Sequence, residues 1–251
     1  IDFTFPPSTP LLAASERILI VNNRAAFEFR YSANRPLVIA GEFGSTSGLA
    51  NGGEQIALHS VEVSLIDFSY DDSAPWPEAA DGSGYSLVLI RPSTKPDLSD
   101  AINWRSSAAI GGVPGGTDAT TLTEFAATNN ITDPFADHDY DGIATIIEYA
   151  TGTPFDSPSH ERPLTAWVEP FSSGATTTRH TVLEFSLGAG ADDIELNPES
   201  SADLSSWIET RSFIYLGETR LPGGQTIRRF RSNLAFQSEL AQFFRLRAEQ
   251  R

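Results

Sequence analysis

Asp137-His-Asp139-Tyr-Asp141-Gly142-Ile143-Ala-Thr145-Ile-Ile-Glu148 breaks the pattern of the 251-residue chain around it. Ile143, Ile146, Ile147 and Ala150 recur at i, i+3, i+4 and i+7, the spacing of one helix face. Gly152 stands where a helix end favours positive φ, and Pro154 follows. Upstream, Thr121-Leu-Thr-Glu124 fits a capping box, and Leu122, Phe125 and Ala126 have helical spacing. Residues 117–160 therefore read as a short helical segment, with a first helix ending near Asn129.

Both flanks read as strands. Before the insert, Arg17–Val21, Leu37–Ala40, Gln55–Leu58, Val61–Tyr70 and Tyr85–Ile90 are strand candidates. Val61, Val63 and Leu65 alternate with Glu62 and Ser64, the period of a half-exposed strand. Asn23–Tyr31 allows one or two helical turns. Ala50-Asn-Gly-Gly53 is a turn, and Gly111-Gly-Val-Pro-Gly-Gly116 is a closing loop or linker. After the insert, Leu183, Phe185 and Leu187 alternate, as do Phe244, Leu246 and Ala248, and Leu221-Pro-Gly-Gly224 marks a hairpin turn. The expectation is a mostly β chain: a β-sandwich over 1–116, a helical linker over 117–160 and a second β-sandwich over 161–251.

The twelve-residue stretch also carries the strongest chemical signal. It fits D-x-[DN]-x-[DN]-G-x5-E at every specified position. Calcium is a hard cation that takes six to eight oxygens, so a loop that coils around it must converge several carboxylates. Asp137, Asp139 and Asp141 would converge, Gly142 would allow the sharp turn, and Ile143 would offer its backbone carbonyl. Thr145 would bind directly or through water, and Glu148 would reach back from the helix with both oxygens. A lone loop of this kind is expected to be structural and weak, with a dissociation constant on the order of 10⁻⁴–10⁻³ M. Such a site fills outside cells, not in cytosol.

Composition narrows the partners. The net charge is −16, and the excess is uneven: 22 acidic side chains face 8 basic ones up to residue 162, and 11 face 9 after it. That field repels nucleic acid and anionic membrane and suits cations. No apolar run is long enough to span a bilayer. There is no cysteine, which removes disulfides and thiolate chemistry. There is no methionine either, so Ile1 is expected to follow a removed segment.

Two stretches resemble known families. Phe3-Thr-Phe-Pro6, Arg17–Val21, Ala26-Phe27, Ala40-Gly-Glu42, Leu49-Ala-Asn-Gly-Gly-Glu54, Asp67-Phe-Ser-Tyr-Asp71, Pro75-Trp-Pro77, Asp81-Gly-Ser-Gly84 and Asn103-Trp104 occur in the order of a bacterial lamin-tail domain. The resemblance implies an immunoglobulin-like sandwich. Residues 131–156 are similar to the calcium loops of thrombospondin-repeat or dockerin type that follow such domains in large secreted bacterial proteins. Ser200–Trp207 and Phe243-Phe-Arg-Leu-Arg247 resemble the C-terminal β-domain of those proteins. One departure matters: the first one or two strands of the lamin-tail pattern are missing ahead of Ile1. The sheet edge near Ile1–Pro6 is then open. The chain is either a trimmed piece, or its gap is filled by the parent chain or by a strand from a neighbouring subunit, which would build a filament.

No catalytic constellation stands out. His59, His138, His160 and His180 are scattered, and G-x-S-x-G, H-E-x-x-H and phosphate-cradling motifs are lacking. Asp67, Asp71, Asp72 and Asp81 form a loose acidic group that reads better as turn caps than as a glycosidase pair or a second cation site. Trp76, Trp104, Tyr70 and Tyr85 are candidates for a sugar-stacking platform, with Trp76, between two prolines, the one expected to be exposed and ligand-binding. The expectation is a non-enzymatic, calcium-bound extracellular or cell-surface protein with a structural or adhesive role. The alternative is a carbohydrate-binding accessory module of a secreted enzyme.

Overall fold

The computed structural model describes residues 1–31, 37–44, 47–159, 162–209, 213–221, 225–237 and 242–251. Of the sequence expectations, His160 and the centre of the 221–224 turn lie outside these residues. The chain is β-rich, as its alternating patterns require.

Among the described residues, 1–116 form three small sheets. Strand β1 (Leu19–Val21) pairs with β2 (Ile39–Glu42) in parallel, with helix α1 (Arg24–Tyr31) between them in sequence. A parallel pair needs such a crossover. Strands β3 (Gln55–His59) and β4 (Ser64–Ser69) form an antiparallel pair, as do β5 (Leu87–Leu89) and β6 (Trp104–Ser106). Among the described residues each of these sheets has two strands. Gly41 in β2 allows the Phe3 ring to lie against the backbone, because a Cβ there would stand 2.8 Å from Phe3 Cε2. The apolar cluster of this half is small: Phe68, Trp76 and Ala101 are buried, with Ile56, Leu87, Leu98 and Trp104 around them.

The second half is larger and more regular. Strands β7 (Leu164–Ser173) and β8 (Thr176–Leu187) form a hairpin across Gly174-Ala175, with Gly174 at φ 59°. Two-residue hairpins need such a positive φ. Strand β9 (Ile194–Ser201) follows, then β10 (Ile208–Glu209), β11 (Phe213–Arg220), β12 (Thr226–Ala235) and β13 (Phe243–Gln250). One antiparallel sheet has the order β11-β12-β8-β7 and another the order β10-β9-β13. Leu183, Phe185 and Phe230 from the first sheet and Leu246 from the second bury one another in a single cluster. Their alternation along each strand is what turns them to one face.

The helical insert, read from the sequence as a linker, packs on the second half. Helix α2 (Leu122–Asn129) and helix α3 (Thr145–Thr151) press Leu122, Ile146, Tyr149 and Ala150 against Ile194, Leu196 and Ala248 of the second half. Both helix ends follow the sequence signals. Thr121 and Glu124 cap α2 reciprocally, and Asn130 (φ 58°) and Gly152 (φ 69°) close α2 and α3. A Cβ on Gly188 would lie 2.5 Å from the Tyr149 carbonyl oxygen, so α3 rests directly on the end of β8.

The two halves meet through arginines. Arg105 is 6% exposed and binds two carboxylates at once. Its Nε and Nη2 donate to Asp192 at 2.6 and 2.7 Å, and its Nη2 and Nη1 to Asp118 at 2.7 and 3.2 Å. Arg228, paired with Glu218, donates to the carbonyls of Ile102 and Trp104. Arg220 donates to Ser106 Oγ and the Ala108 carbonyl, and its guanidinium lies 4.0 Å from the Tyr85 ring centre. Tyr215 of β11 packs against both the Phe68–Trp76 cluster and the Leu183–Phe230 cluster.

Candidate metal centre

Residues 137–148 fold as a tight turn wound on its own aspartates. The Asp137 carboxylate accepts from the backbone N–H groups of Tyr140, Asp141 and Gly142. Asp139 Oδ1 accepts from the Asp141 N–H, and Asp141 Oδ1 from the Ile143 N–H. Two residues in the left-handed region make this possible: Gly142 at φ 98° and Tyr140 at φ 65°. The flanks are zipped together, with Thr145 N–H donating to the Ala136 carbonyl and Ile146 N–H to the Pro134 carbonyl.

This winding brings carboxylate oxygens of Asp137, Asp139 and Asp141 within 4.8 Å of one another. Among the described residues it is the one group of three or more potential metal-ligating side chains that converges in this way. Glu148 lies in α3, three residues past Thr145, and both residues are 0% exposed. Glu148 Oε1 and Oε2, Thr145 Oγ1 and Asp139 Oδ2 are all buried without a hydrogen-bond partner. A buried carboxylate with no donor is costly, so such groups are normally satisfied by protein, water or an ion. Burial first, then the charges of Asp139, Asp141 and Asp137, push the Glu148 carboxyl up to about 7, against a smaller opposing pull from the Thr145 hydroxyl, which lies near it but outside good hydrogen-bond geometry. Four acidic groups gathered with no cation beside them among the described residues are electrostatically unfavourable, and a divalent ion reverses that sign. All the donors are oxygens, which matches a hard cation and not a thiophilic one.

The structure thus brings together Asp137, Asp139 and Asp141, and sets Glu148 near enough to feel their charges, with Thr145 one turn before it on α3. Ile143, the expected carbonyl donor, is half-buried at its place in the loop, its N–H turned to Asp141. His138 is exposed, its ring 6.4 Å from that of Phe155. The sequence pattern did not single out Ser159, whose N–H donates to Asp141 Oδ2 at 3.0 Å. No spacing rule reaches it, because it lies beyond the helix.

Other candidates do not assemble. Trp76, expected at the surface, is 7% exposed and packs against Trp104 at 5.9 Å between ring centres. Its flanking prolines mark a turn, and the turn folds the indole inward. Trp104 stacks on Phe68 and donates its Nε1–H to the Leu98 carbonyl, Tyr70 donates to the Ala50 carbonyl, and Tyr85 is covered by Arg220. No exposed aromatic platform results from these four. Asp71 caps its own turn, accepting from the Ser73 N–H and Oγ–H, and Asp67 accepts from Gln55 Nε2. His180 is buried in the sheet between Thr178 Oγ1 and the Ser232 carbonyl.

Comparison with protein-family models, with curated proteins and with solved structures finds no match for this chain. Among the described residues no helix is long and apolar enough to cross a membrane.

Proposed function

We propose that this chain is a calcium-stabilised, non-catalytic structural or adhesive component of an extracellular or cell-surface protein. The observation that carries the reading is Glu148: a carboxylate fully shielded from solvent, neither oxygen in a hydrogen bond of good geometry, that feels the charges of three converging aspartates. Asp137, Asp139, Asp141, Thr145 and Glu148 would hold the ion, with Ile143 contributing its carbonyl. The ion would neutralise the loop and secure α3 against the second half. The contacts across the junction of the two halves run through Arg105, Arg220 and Arg228.

We read residues 164–250 as a β-sandwich, two sheets over the cluster of Leu183, Phe185, Phe230 and Leu246. Residues 1–116 fit an immunoglobulin-like unit that lacks its first strands. In support, β1 and β2 pair only with each other among the described residues, and Val61, Val63 and Leu65 are exposed beside β4. A further strand from the parent chain or from a neighbouring subunit would complete that half, the second case giving a filament. The glycan-binding alternative loses its anchor with Trp76 buried.

The test is calcium titration of the whole chain by calorimetry. The expected result is one site with a dissociation constant on the order of 10⁻⁴–10⁻³ M, lost in Asp139→Ala. No heat and no calcium-dependent shift in melting at about 10 mM calcium, well above that range, would overturn the reading.

A further inference from the structure

We propose that Ser159 belongs to the donor set of the same cation site, as an oxygen ligand lying outside the twelve-residue loop. The inference rests on the calcium reading above and adds to it a residue and a closing segment. Two contacts fold residues 153–159 back over the loop. The Ser159 N–H donates to Asp141 Oδ2 at 3.0 Å, and the Phe155 ring lies 6.4 Å from that of His138 and edge-on to Phe125 at 5.0 Å. The path is stiff: Gly152 turns the chain out of α3, Thr153 N–H donates to the Glu148 carbonyl, and Pro154 and Pro158 fix φ on either side.

The hydroxyl is what points to a ligand. Ser159 Oγ is buried and has no hydrogen-bond partner. A serine hydroxyl both donates and accepts, so it is among the easiest side chains to satisfy. Unpaired on the residue whose amide holds Asp141, it joins Asp139 Oδ2, Thr145 Oγ1 and both Glu148 oxygens as a buried oxygen with no hydrogen bond of good geometry. Four carboxylates alone can saturate a small octahedral ion. Calcium takes up to eight oxygens and accepts neutral hydroxyls among them, directly or through one water. The Ser159 amide meanwhile fixes Asp141, the kind of outer contact that orients a ligand. Binding would therefore tie the connection into β7 to the loop, and the ion would order the chain on both sides of α3.

Two substitutions separate the hydroxyl from the amide. Ser159→Ala keeps the N–H and removes Oγ; Ser159→Pro removes the N–H as well. Calcium affinity of the full chain, by calorimetry, should fall about tenfold in Ser159→Ala and further in Ser159→Pro. Melting in excess chelator reports folding separately: Ser159→Ala should melt with the wild type there, and should gain less on adding calcium. Wild-type affinity in Ser159→Ala overturns the inference and leaves the calcium reading standing. Failure of the wild type itself to bind calcium overturns both.

Discussion

The metal loop and the arginine junction face the same problem and solve it in opposite ways. At the junction Asp118 and Asp192 are taken largely out of water, and Arg105 meets both with paired hydrogen bonds. At the loop Glu148 is taken fully out of water within the field of Asp137, Asp139 and Asp141, and no cation of the described residues stands against it. One region carries its own countercharge and is complete as synthesised. On the calcium reading the other is complete only with a solute, so its order would depend on where the protein is. Dependence on calcium should therefore be local, confined to the insert, while the contact between the halves is indifferent to the ion.

The largest expected effect breaks the first half of the comparison. Arg105→Leu leaves two buried carboxylates without a partner and should cost about 3–5 kcal/mol in denaturant unfolding, equally with and without calcium. Adding Asp118→Leu and Asp192→Leu should recover much of that loss, because a matched apolar set replaces a broken ionic one. A loss that depends on calcium would mean the two regions are coupled.

Next in size is removal of the ion. With a weak site and about 10 mM calcium, the folded state should gain about 1.5–3 kcal/mol over its value in chelator. Glu148→Gln should abolish this gain. It should also be no less stable than the wild type in chelator, since it removes a charge that nothing balances. Thermal melts of both proteins in both conditions read the crossing directly.

The smallest effect is in acid. Burial alone would raise the Asp118 carboxyl, but the hydrogen bonds from Arg105 and from the Ala108 amide outweigh it and hold the group below 3.8. A depressed carboxyl contributes stability that is present above its unfolded value and lost as pH falls through its folded one. Unfolding followed below pH 4 should thus show a steep limb in the wild type, and a shallower one in Arg105→Leu.

What could be read from the sequence was what is local. The spacing of Asp137, Asp139, Asp141 and Glu148 is written within twelve residues, and so are the Thr121–Glu124 cap and the stop at Gly152. The alternation of Leu183, Phe185 and Leu187 gives a face. It does not say what covers that face, which is why the α2–α3 insert read as a linker although Ile194 and Ala248 cover it. Arg105 and Asp192 lie 87 residues apart, and no periodicity joins them. The expectation for Trp76 fails for the same reason: its cover, Trp104, arrives from β6. Ser159 escaped because the motif ends eleven residues before it.

Tyr215 occupies a slot in each of the two apolar clusters, one in either half. A single ring shared in this way makes the boundary at the glycine-rich stretch 111–116 a seam in sequence alone. Cut there, one piece would keep an exposed phenol and the other an empty socket, so neither is a portable cassette. Recombination could transplant the pair, but not one member.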